Sequence, residues 1–436
     1  MKEKKIVVLG AGFGGLAFTH ALRHPNAKIT LIDRQNHHLF QPLLYQVATA
    51  GLAMPDIAQP VRSIFRKRRD VNVFMEQVQE IDVKNKRVLL SGRSPVDYDY
   101  LIIGLGMVNA YFGNNHWAKH SIGLKSLEEA RKIRRKVLHA YERAEASDDP
   151  QERRRLMTSV VIGGGPTGVE MAGAISELTR RVFKNDFRSI NPEESRVVLV
   201  EAADRILGTY SVESSNSALK NLEKLGVEVA LNSPVKDVRA GEVELGDQTV
   251  KAESIIWTAG VEANPVLKTL PAEFDRQGRI CVEADTSLPG YPEVFVIGDI
   301  ANLTDIKGQK VPGVSPAAIQ MGKHAAKIIK KELKANQSAP IESRNPFKYL
   351  DKGTMATIGR SKAVAEVAGM KFSGFIAWVL WLAVHLIFLV GFRNRAAVLL
   401  QWAYAYIGYR PGARVFDLPT SEVDILENER LQRAES

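Results

Sequence analysis

IVVLGAGFGGL, residues 6–16, is the stretch from which the rest of the chain can be read. Residues 6–9 are four apolar side chains in a row, the mark of a parallel strand buried on both faces. Gly10, Gly12 and Gly15 follow at GxGxxG spacing. The first permits the tight turn out of the strand. The second lets a pyrophosphate approach bare backbone, and the third lets the next helix pack close to the strand. That helix is expected over residues 16–23, with its free N–H groups and positive dipole end turned to the phosphates. A second strand over 28–32 runs into Asp33, 18 residues past Gly15, where a carboxylate is wanted for the ribose hydroxyls of an adenosine. A fingerprint at the head of the chain, set between strand and helix and closed by an acidic strand end, is what a domain that wraps FAD presents.

The same pattern returns in SVVIGGGPTGVEMAGAISEL, residues 159–178, with Gly163, Gly165 and Gly168 at the same spacing. Its second strand, 196–200, ends in Glu201. The longer gap before it reflects a helix extended through RRVFKNDFRSINPEES. One such unit holds one dinucleotide, so the duplication implies two: FAD held permanently and a nicotinamide passing through. Glu201 repels a 2′-phosphate and suits a 2′-hydroxyl, which favours NADH over NADPH.

The remainder constrains the class. A chain of 436 residues has room for two to four domains, and 45% hydrophobic with 25% charged residues is ordinary for a globular protein. The net charge of +10 suits anionic cofactors or an anionic membrane surface. Nucleic acid is not expected, because no helix-turn-helix, zinc-finger or RRM signature is present. One cysteine, Cys281, excludes an intramolecular disulfide and a cysteine-rich metal site. His37 and His38 adjoin with no third ligand at useful spacing, so they read as satisfied or exposed histidines and no metal is expected. The start, MKEKK, leads into a strand with no cleavage motif, which reads as a chain facing a reducing cytosol. FQPLLYQVATAG, 40–51, reads as a short helix beside whatever the first fingerprint binds, and RKRR, 66–69, as a solvated helix end, with a membrane-surface contact as the alternative. Residues 71–90 alternate as small strands do, and YDYLIIGLG, 98–106, is a buried strand ending in glycines, the last being Gly106. A charged helix is expected over 126–155, short strands over 227–252, and a strand over 254–260 that closes the second unit. YPEVFVIGDIAN, 291–302, is a strand that delivers Asp299 just after Gly298 to the carboxyl edge of a sheet, beside a ligand. A helix over 312–331, starting near Pro316 and carrying Gln320 in its first turn, turns its dipole toward an anionic reduced flavin.

Near the C-terminus, GFIAWVLWLAVHLIFLVGF, 374–392, carries no formal charge. Gly374 and Gly391 leave a helical core of about 16 residues, about 24 Å, short of a hydrocarbon layer of about 30 Å. The next stretch, 396–407, is again apolar and aromatic, framed by Arg393, Arg395, Arg410 and Arg414. Trp378, Trp381, Trp402, Tyr404, Tyr406 and Tyr409 suit a membrane–water interface. The expectation is a pair of helices lying in one leaflet with arginines at the head groups; a single span and a buried dimer interface are the alternatives.

Taken together, GAGFGG, FQPLLYQVATAG, GGGPTGVE, VFVIGDIA and WLAVHLIFLVGFRNR resemble, in order and over nearly the whole chain, the type II NADH dehydrogenases, single-subunit NADH:quinone oxidoreductases. The resemblance implies an α/β fold of two Rossmann-like dinucleotide-binding domains with a C-terminal helical membrane-anchoring segment. The FAD domain would comprise 1–112 and 270–345, the NADH domain 113–269, and the membrane-associated domain 346–436. Gly10, Gly12, Gly15, Asp33, Gly298 and Asp299 would hold FAD, with Gly106 at close approach. Gly163, Gly165, Gly168 and Glu201 would hold NADH. Glu170 would lie near the nicotinamide, and Gln320 and Met321 by the flavin near the quinone pocket. Two positions depart from the family pattern: GLGM (104–107) stands for an ATG-type turn, and Gln320-Met321 for a glutamine pair, both bearing on quinone choice. The implied activity is hydride transfer from NADH to FAD and two electrons onward to a membrane quinone, without proton pumping. The implied place is the cytoplasmic face of the membrane, bound at the bilayer surface without spanning it, with a homodimer left open. Disulfide reductases and sulfide:quinone reductases need a cysteine pair that this chain lacks. A reductase of another acceptor and an NADH-sensing membrane flavoprotein are the remaining alternatives.

Overall fold

The computed structural model describes residues 3–336, 340–408 and 413–417. They part into two compact units, each assembled from separated stretches of chain. The first comprises 1–39, 58–110 and 261–353; the second comprises 40–57, 111–260 and 354–436.

The first unit is built on a six-stranded sheet in the order Ser287–Leu288, Tyr291–Val296, Tyr100–Ile103, Lys4–Leu9, Ala27–Asp33, Val71–Met75. All neighbours pair in parallel except the antiparallel first pair. The apolar run at 6–9 is fully buried, as are Leu101 to Ile103 and Val294 to Val296, because strands covered on both faces leave no side for polar residues. The first helix spans Phe13–Ala21, three residues earlier than the glycine spacing alone suggested, with Gly12 as its N-cap. Arg68 closes its far end: the guanidinium donates to Thr19 O (3.0 Å) and Leu22 O (2.9 Å) and pairs with Asp70. One member of the basic cluster is therefore structural, and Arg66, Lys67 and Arg69 are solvated. The long helix Ser315–Ala335 packs on the first helix backbone to backbone, since a Cβ on Gly322 would stand 2.3 Å from Gly14 O.

A buried ionic cluster ties the end of this unit down. Arg344 is 2% exposed in its side chain and reaches Glu332 on the long helix (2.8 Å) and Asp285 (2.9 Å), each 2% exposed. Tyr100 donates to the other Glu332 oxygen at 2.8 Å. Beyond it, Phe347 is buried and its N–H donates to Ala284 O.

The second unit repeats the plan with a five-stranded parallel sheet: Ile122–Gly123, Ser254–Trp257, Thr158–Ile162, Arg196–Val200, Val227–Ala230. Its glycine-led helix is Pro166–Glu177. The charged stretch folds as two helices, Leu127–Ala146 and Pro150–Leu156, and the first starts in a capping box between Ser126 and Glu129. FQPLLYQVATAG forms a short helix, Leu44–Ala48, which packs within this second unit against Leu127–Ala146 and Pro166–Glu177. The antiparallel strands Thr354–Thr357, Ala363–Val367 and Met370–Ser373 also belong here. Glu170 and Glu177, seven residues apart on one face of Pro166–Glu177, accept N–H groups of Thr357 (3.4 Å) and Arg360 (2.7 Å). Gly173 between them lets the turn at Gly359 approach, since a Cβ there would lie 3.0 Å from Gly359 N.

The uncharged C-terminal run breaks at 389–391 into two helices, Gly374–Phe388 and Phe392–Gly408. No helix among the described residues is long and apolar enough to cross a membrane. Two of the framing arginines are used internally: Arg395 Nε donates to Leu389 O at 2.8 Å, and Arg414 pairs with Asp186. The side chains of Arg393 and Tyr406, and residues Tyr409 and Arg410, lie outside the described residues.

Arg344→Ala leaves two buried carboxylates without a cation, and should cost about 3–5 kcal/mol of stability. Arg344→Lys should recover part of that loss. Thermal unfolding of both variants measures it, and an unchanged melting temperature for Arg344→Ala would remove the cluster from the stability of this unit.

Candidate functional site: two dinucleotide cradles

Each unit carries one glycine turn at the carboxyl edge of its sheet, and the two turns are built alike. Gly10 has φ +98° and faces Gly104, whose carbonyl oxygen would be 2.2 Å from any Cβ. Gly15 lies against Gly10 O, with 1.9 Å for a Cβ, so any side chain would drive helix and strand apart. Gly12 differs: a Cβ there would meet nothing within 4 Å. Two glycines are thus required by protein atoms, and the third opens onto space in front of a helix N-terminus that no side chain caps. Gly163, Gly168 and Gly165 repeat these roles in turn: contact with Ala259 (2.5 Å), contact with Gly163 O (1.8 Å), and open space. Each turn is a candidate pyrophosphate cradle, where free N–H groups and the helix dipole favour an anion.

The strand-end acids are bound into the turns. Ala11 N–H donates to Asp33 Oδ2 at 2.6 Å, and Gln35 N–H to Oδ1 at 2.7 Å. Burial raises the Asp33 carboxyl above its ordinary range against those two N–H groups. Gly164 N–H donates to Glu201 Oε2 at 2.6 Å, and Ala203 N–H to Oε1 at 2.9 Å. In dinucleotide-binding folds of this plan an acid at the end of the second strand meets the ribose of the bound dinucleotide.

In the first unit the other named residues gather at the same edge. Gly298, with φ +79°, ends the strand before the half-buried Asp299, and its N–H points to Met321 Sδ at 3.2 Å. Ala318 O lies 3.2 Å from where a Gly14 Cβ would be. Residues 318 and 322 thus face the fingerprint, and Met321 faces Gly298. Gln320 stands on the flank of that helix. Its amide is engaged on both sides by one residue: Nε2 donates to Leu350 O (3.0 Å), and Leu350 N–H donates to Oε1 (2.9 Å). Gly106, φ +67°, opens onto space two residues past Gly104.

Glu170 is placed differently from the glycines that precede it. It is buried and faces a cluster that sequence reasoning did not assemble: Thr357, Tyr45, Tyr210 and Trp381. Burial pushes its carboxyl up to about 8, against the pull of the Thr357 N–H and the Trp381 indole. The Tyr45 hydroxyl accepts from Gln46 Nε2 (2.9 Å), and Gln46 Oε1 accepts from Trp402 Nε1 (2.8 Å). His385 stacks on Trp381 with ring centroids 4.0 Å apart, and burial holds it neutral, down to about 4. The aromatic residues of 374–404 gave a membrane signal in sequence; their inward members, Trp381 and Trp402, are distinguishable only once the helices are packed. No group of acidic, histidine or cysteine residues among the described residues could hold a metal.

The pyridine nucleotide-disulphide oxidoreductase family matches residues 4–322, and the NDH2 C-terminal domain matches 352–411. The chain is 41% identical over 423 residues to the type II NADH:quinone oxidoreductase Ndh of Mycobacterium tuberculosis, covering 94% of this chain and 90% of that protein. It is 30% identical to a probable NADH dehydrogenase of Dictyostelium discoideum, over 92% and 89% of the two chains. Its fold is shared with NDH2 of Plasmodium falciparum, solved in complex with NADH, at a TM-score of 0.87 and 19% identity over 95% of this chain and all of that one. The chain belongs to the pyridine nucleotide-disulphide oxidoreductases and, within them, to the type II NADH:quinone oxidoreductase family.

Glu170 ionises near 4.5 when unfolded and near 8 when folded. Between those values the unfolded chain releases a proton that the folded chain keeps, so this group's contribution to stability is full at low pH and lost as pH rises toward 8. Melting temperatures of wild type relative to Glu170→Gln should therefore fall from pH 5 to pH 8 and level off above. A pH-independent difference would show that the carboxyl is not held protonated.

Proposed function

We propose that the chain is a respiratory NADH:quinone oxidoreductase that carries FAD in the first cradle and binds NADH in the second. The observation that carries this reading is the pair of matched cradles in a chain whose one cysteine, Cys281, has no cysteine partner. A cofactor pair without a redox disulfide leaves a diffusible acceptor as the exit for electrons. FAD is assigned to residues 1–112 and 270–345, with Gly10, Gly12, Gly15, Asp33, Gly106, Gly298, Asp299 and Met321 around it. NADH is assigned to 113–269, on Gly163, Gly165, Gly168 and Glu201. Residues 346–436 meet the membrane. When bound, FAD supplies the chemistry, taking hydride from NADH and yielding two electrons to quinone.

The protein's part is position and electrostatics. The open face at Gly12 and Gly165 lets each pyrophosphate lie on backbone N–H groups. Glu201 excludes a 2′-phosphate by charge. Gln320, on the flank of Ser315–Ala335, is assigned to the flavin's surroundings near the quinone, and the N-terminus of that helix favours negative charge on the flavin. Hydride transfer needs no proton from the protein, so Glu170 is assigned to orienting the nicotinamide amide or tuning its site and not to acid catalysis.

The membrane contact rests on an apolar face. On Gly374–Phe388, Phe375, Ile376, Val379 and Ile387 are 56, 64, 44 and 64% exposed, while Ala377 and Trp381 are buried. Leu399, Leu400 and Tyr404 on the next helix are 52, 69 and 60% exposed. Two helices with large apolar side chains turned outward fit insertion into one leaflet, and a helix of 15 residues, about 22 Å, does not span. With no membrane-crossing path for protons in such an anchor, electron transfer proceeds without pumping. The enzyme is assigned to the cytoplasmic face of the membrane, the side on which NADH is held.

Anaerobic spectra test the chemistry. NADH should bleach the bound flavin rapidly and NADPH poorly, and a short-chain quinone should restore it; bleaching without recovery would move the reading to another acceptor or to a sensing role. Flotation with liposomes tests the anchor. Wild type should float, and Ile376→Glu/Ile387→Glu/Leu400→Glu should stay in the dense fraction while still reducing short-chain quinone. A triple variant that floats like wild type would place the membrane contact elsewhere.

A further inference from the structure

At the amino edge of the second sheet, the end opposite its glycine turn, an open cavity of about 680 Å³ lies within the second unit. Met157 and Arg196, at the starts of the strands Thr158–Ile162 and Arg196–Val200, border it, as does Glu228 on Val227–Ala230. The glycine turn is a whole five-residue strand away, about 16 Å. The volume falls in the range of small-molecule sites, about 300–1,000 Å³, and the cavity is separate from the space in front of Gly165.

Four arginines and two glutamates line it: Arg153, Arg154, Arg180, Arg196, Glu194 and Glu228. Their pairing is uneven. Arg196 is taken up by Glu228, whose oxygens accept from Nε at 2.9 Å and from Nη2 at 2.8 Å. Glu194 accepts from Asn191 Nδ2 at 3.2 Å and pairs with no arginine among the described residues. Arg153 gives Nε to Ser147 O (2.5 Å) and lies 4.0 Å from the exposed Asp148. Arg154 is exposed, and neither it nor Arg180 pairs with a carboxylate among the described residues. Three guanidinium groups without a close carboxylate therefore border one concavity, where like charge concentrates the field and draws an anion.

Arg180 is held in place. The helix Pro166–Glu177 runs on into one wider turn, Leu178–Val182, in which Phe183 N–H donates to Leu178 O five residues back. Turns of this kind recur at functional sites. The guanidinium lies against Gly226, where a Cβ would stand 2.6 Å from Cζ, and Nη2 donates to Ser195 O (2.8 Å) and Gly226 O (3.3 Å). Arg153 and Arg154 come from a second element, the helix Pro150–Leu156. Pro150, Met157 and Ile190 add apolar wall, which a bare ion would not use.

We propose that this cavity binds a small soluble phosphomonoester, with its phosphate on Arg153, Arg154 and Arg180 and its organic part against Pro150, Met157 and Ile190. A phosphate dianion presents three oxygens to guanidinium forks that arrive from different elements, and planar forks suit it. The site is independent of which dinucleotides the two cradles take.

Isothermal titration of the full-length chain with phenyl phosphate, with and without saturating NAD⁺, tests this. Phenyl phosphate should bind with the same Kd in both cases, and about ten-fold more tightly than inorganic phosphate. Arg154→Glu should weaken it at least ten-fold, with the melting temperature of the ligand-free chain and the bleaching of flavin by NADH unchanged. Lys132→Glu reverses an exposed charge on Leu127–Ala146 that does not line the cavity, and should leave the Kd as it is. A wild type that binds no phenyl phosphate overturns the inference. So does competition by NAD⁺, which would place the phosphate in a cradle. Equal affinity for inorganic phosphate, or an equal loss in Lys132→Glu, overturns it as well, since adsorption of an ion to a basic surface would then suffice. None of these results bears on the functional reading, which the flavin spectra test separately.

Discussion

Two short bonds hold the architecture: Ala11 N–H to Asp33 and Gly164 N–H to Glu201, each 2.6 Å. Each joins the turn after a first strand to the end of its parallel neighbour. Such a turn must leave the strand, reverse and enter a helix within a few residues, and it has no room for side chains on its inner wall. The carboxylate fixes the turn from the one side the sheet leaves open. Everything that a dinucleotide needs then follows from the same geometry: bare backbone in front, a helix N-terminus behind, an acid to one side.

The duplicated plan makes differences between the two units informative. In the first, the long helix Ser315–Ala335 lies on the fingerprint helix with glycine against glycine, and Met321 and Gly298 close the edge of the site. In the second, the fingerprint helix turns a different face to its neighbours. Glu170, Gly173 and Glu177 form a stripe that grips the turn after Thr354–Thr357 by backbone N–H groups. A helix that begins at a phosphate cradle thus carries, along its length, the support of the C-terminal strands and, through Trp381, of the apolar helices. The burial that raises the Glu170 carboxyl is a consequence of that packing.

Much of this was legible in the chain. The apolar runs at 6–9 and 160–162, the glycine spacing and the acids at 33 and 201 each depend on neighbours close in sequence or on one strand-to-strand step, so pattern alone finds them. The split of 374–392 into a helix ending at Phe388 was readable from Gly391 and the short apolar core. Less legible were the residues whose meaning depends on a distant partner. The resemblance singles out Glu170 near the nicotinamide, but no local pattern shows that Tyr45, Thr357 and Trp381 surround it. FQPLLYQVATAG reads as a short helix, as it is, but that its buried side, Leu44, Tyr45, Val47 and Ala48, packs on the helices Leu127–Ala146 and Pro166–Glu177 is not in any local pattern. Arg395 and Arg414 read as head-group contacts, and the structure adds internal partners to both, the Leu389 carbonyl and the Asp186 carboxylate.

The sequence by itself determined the repeated strand–turn–helix units, their acids, the lone cysteine and the apolar C-terminal run. These are local patterns whose physics is set by sterics and solvent transfer within a few residues. Only the tertiary structure decided which polar atoms are satisfied. Gln320 is held on both sides by Leu350, Arg344 is buried between Glu332 and Asp285, and His38 is fixed by one nitrogen with the other left open. A hydrogen bond requires a partner within about 3 Å in the right direction, and that partner is supplied by chain tens or hundreds of residues away, which no local pattern records.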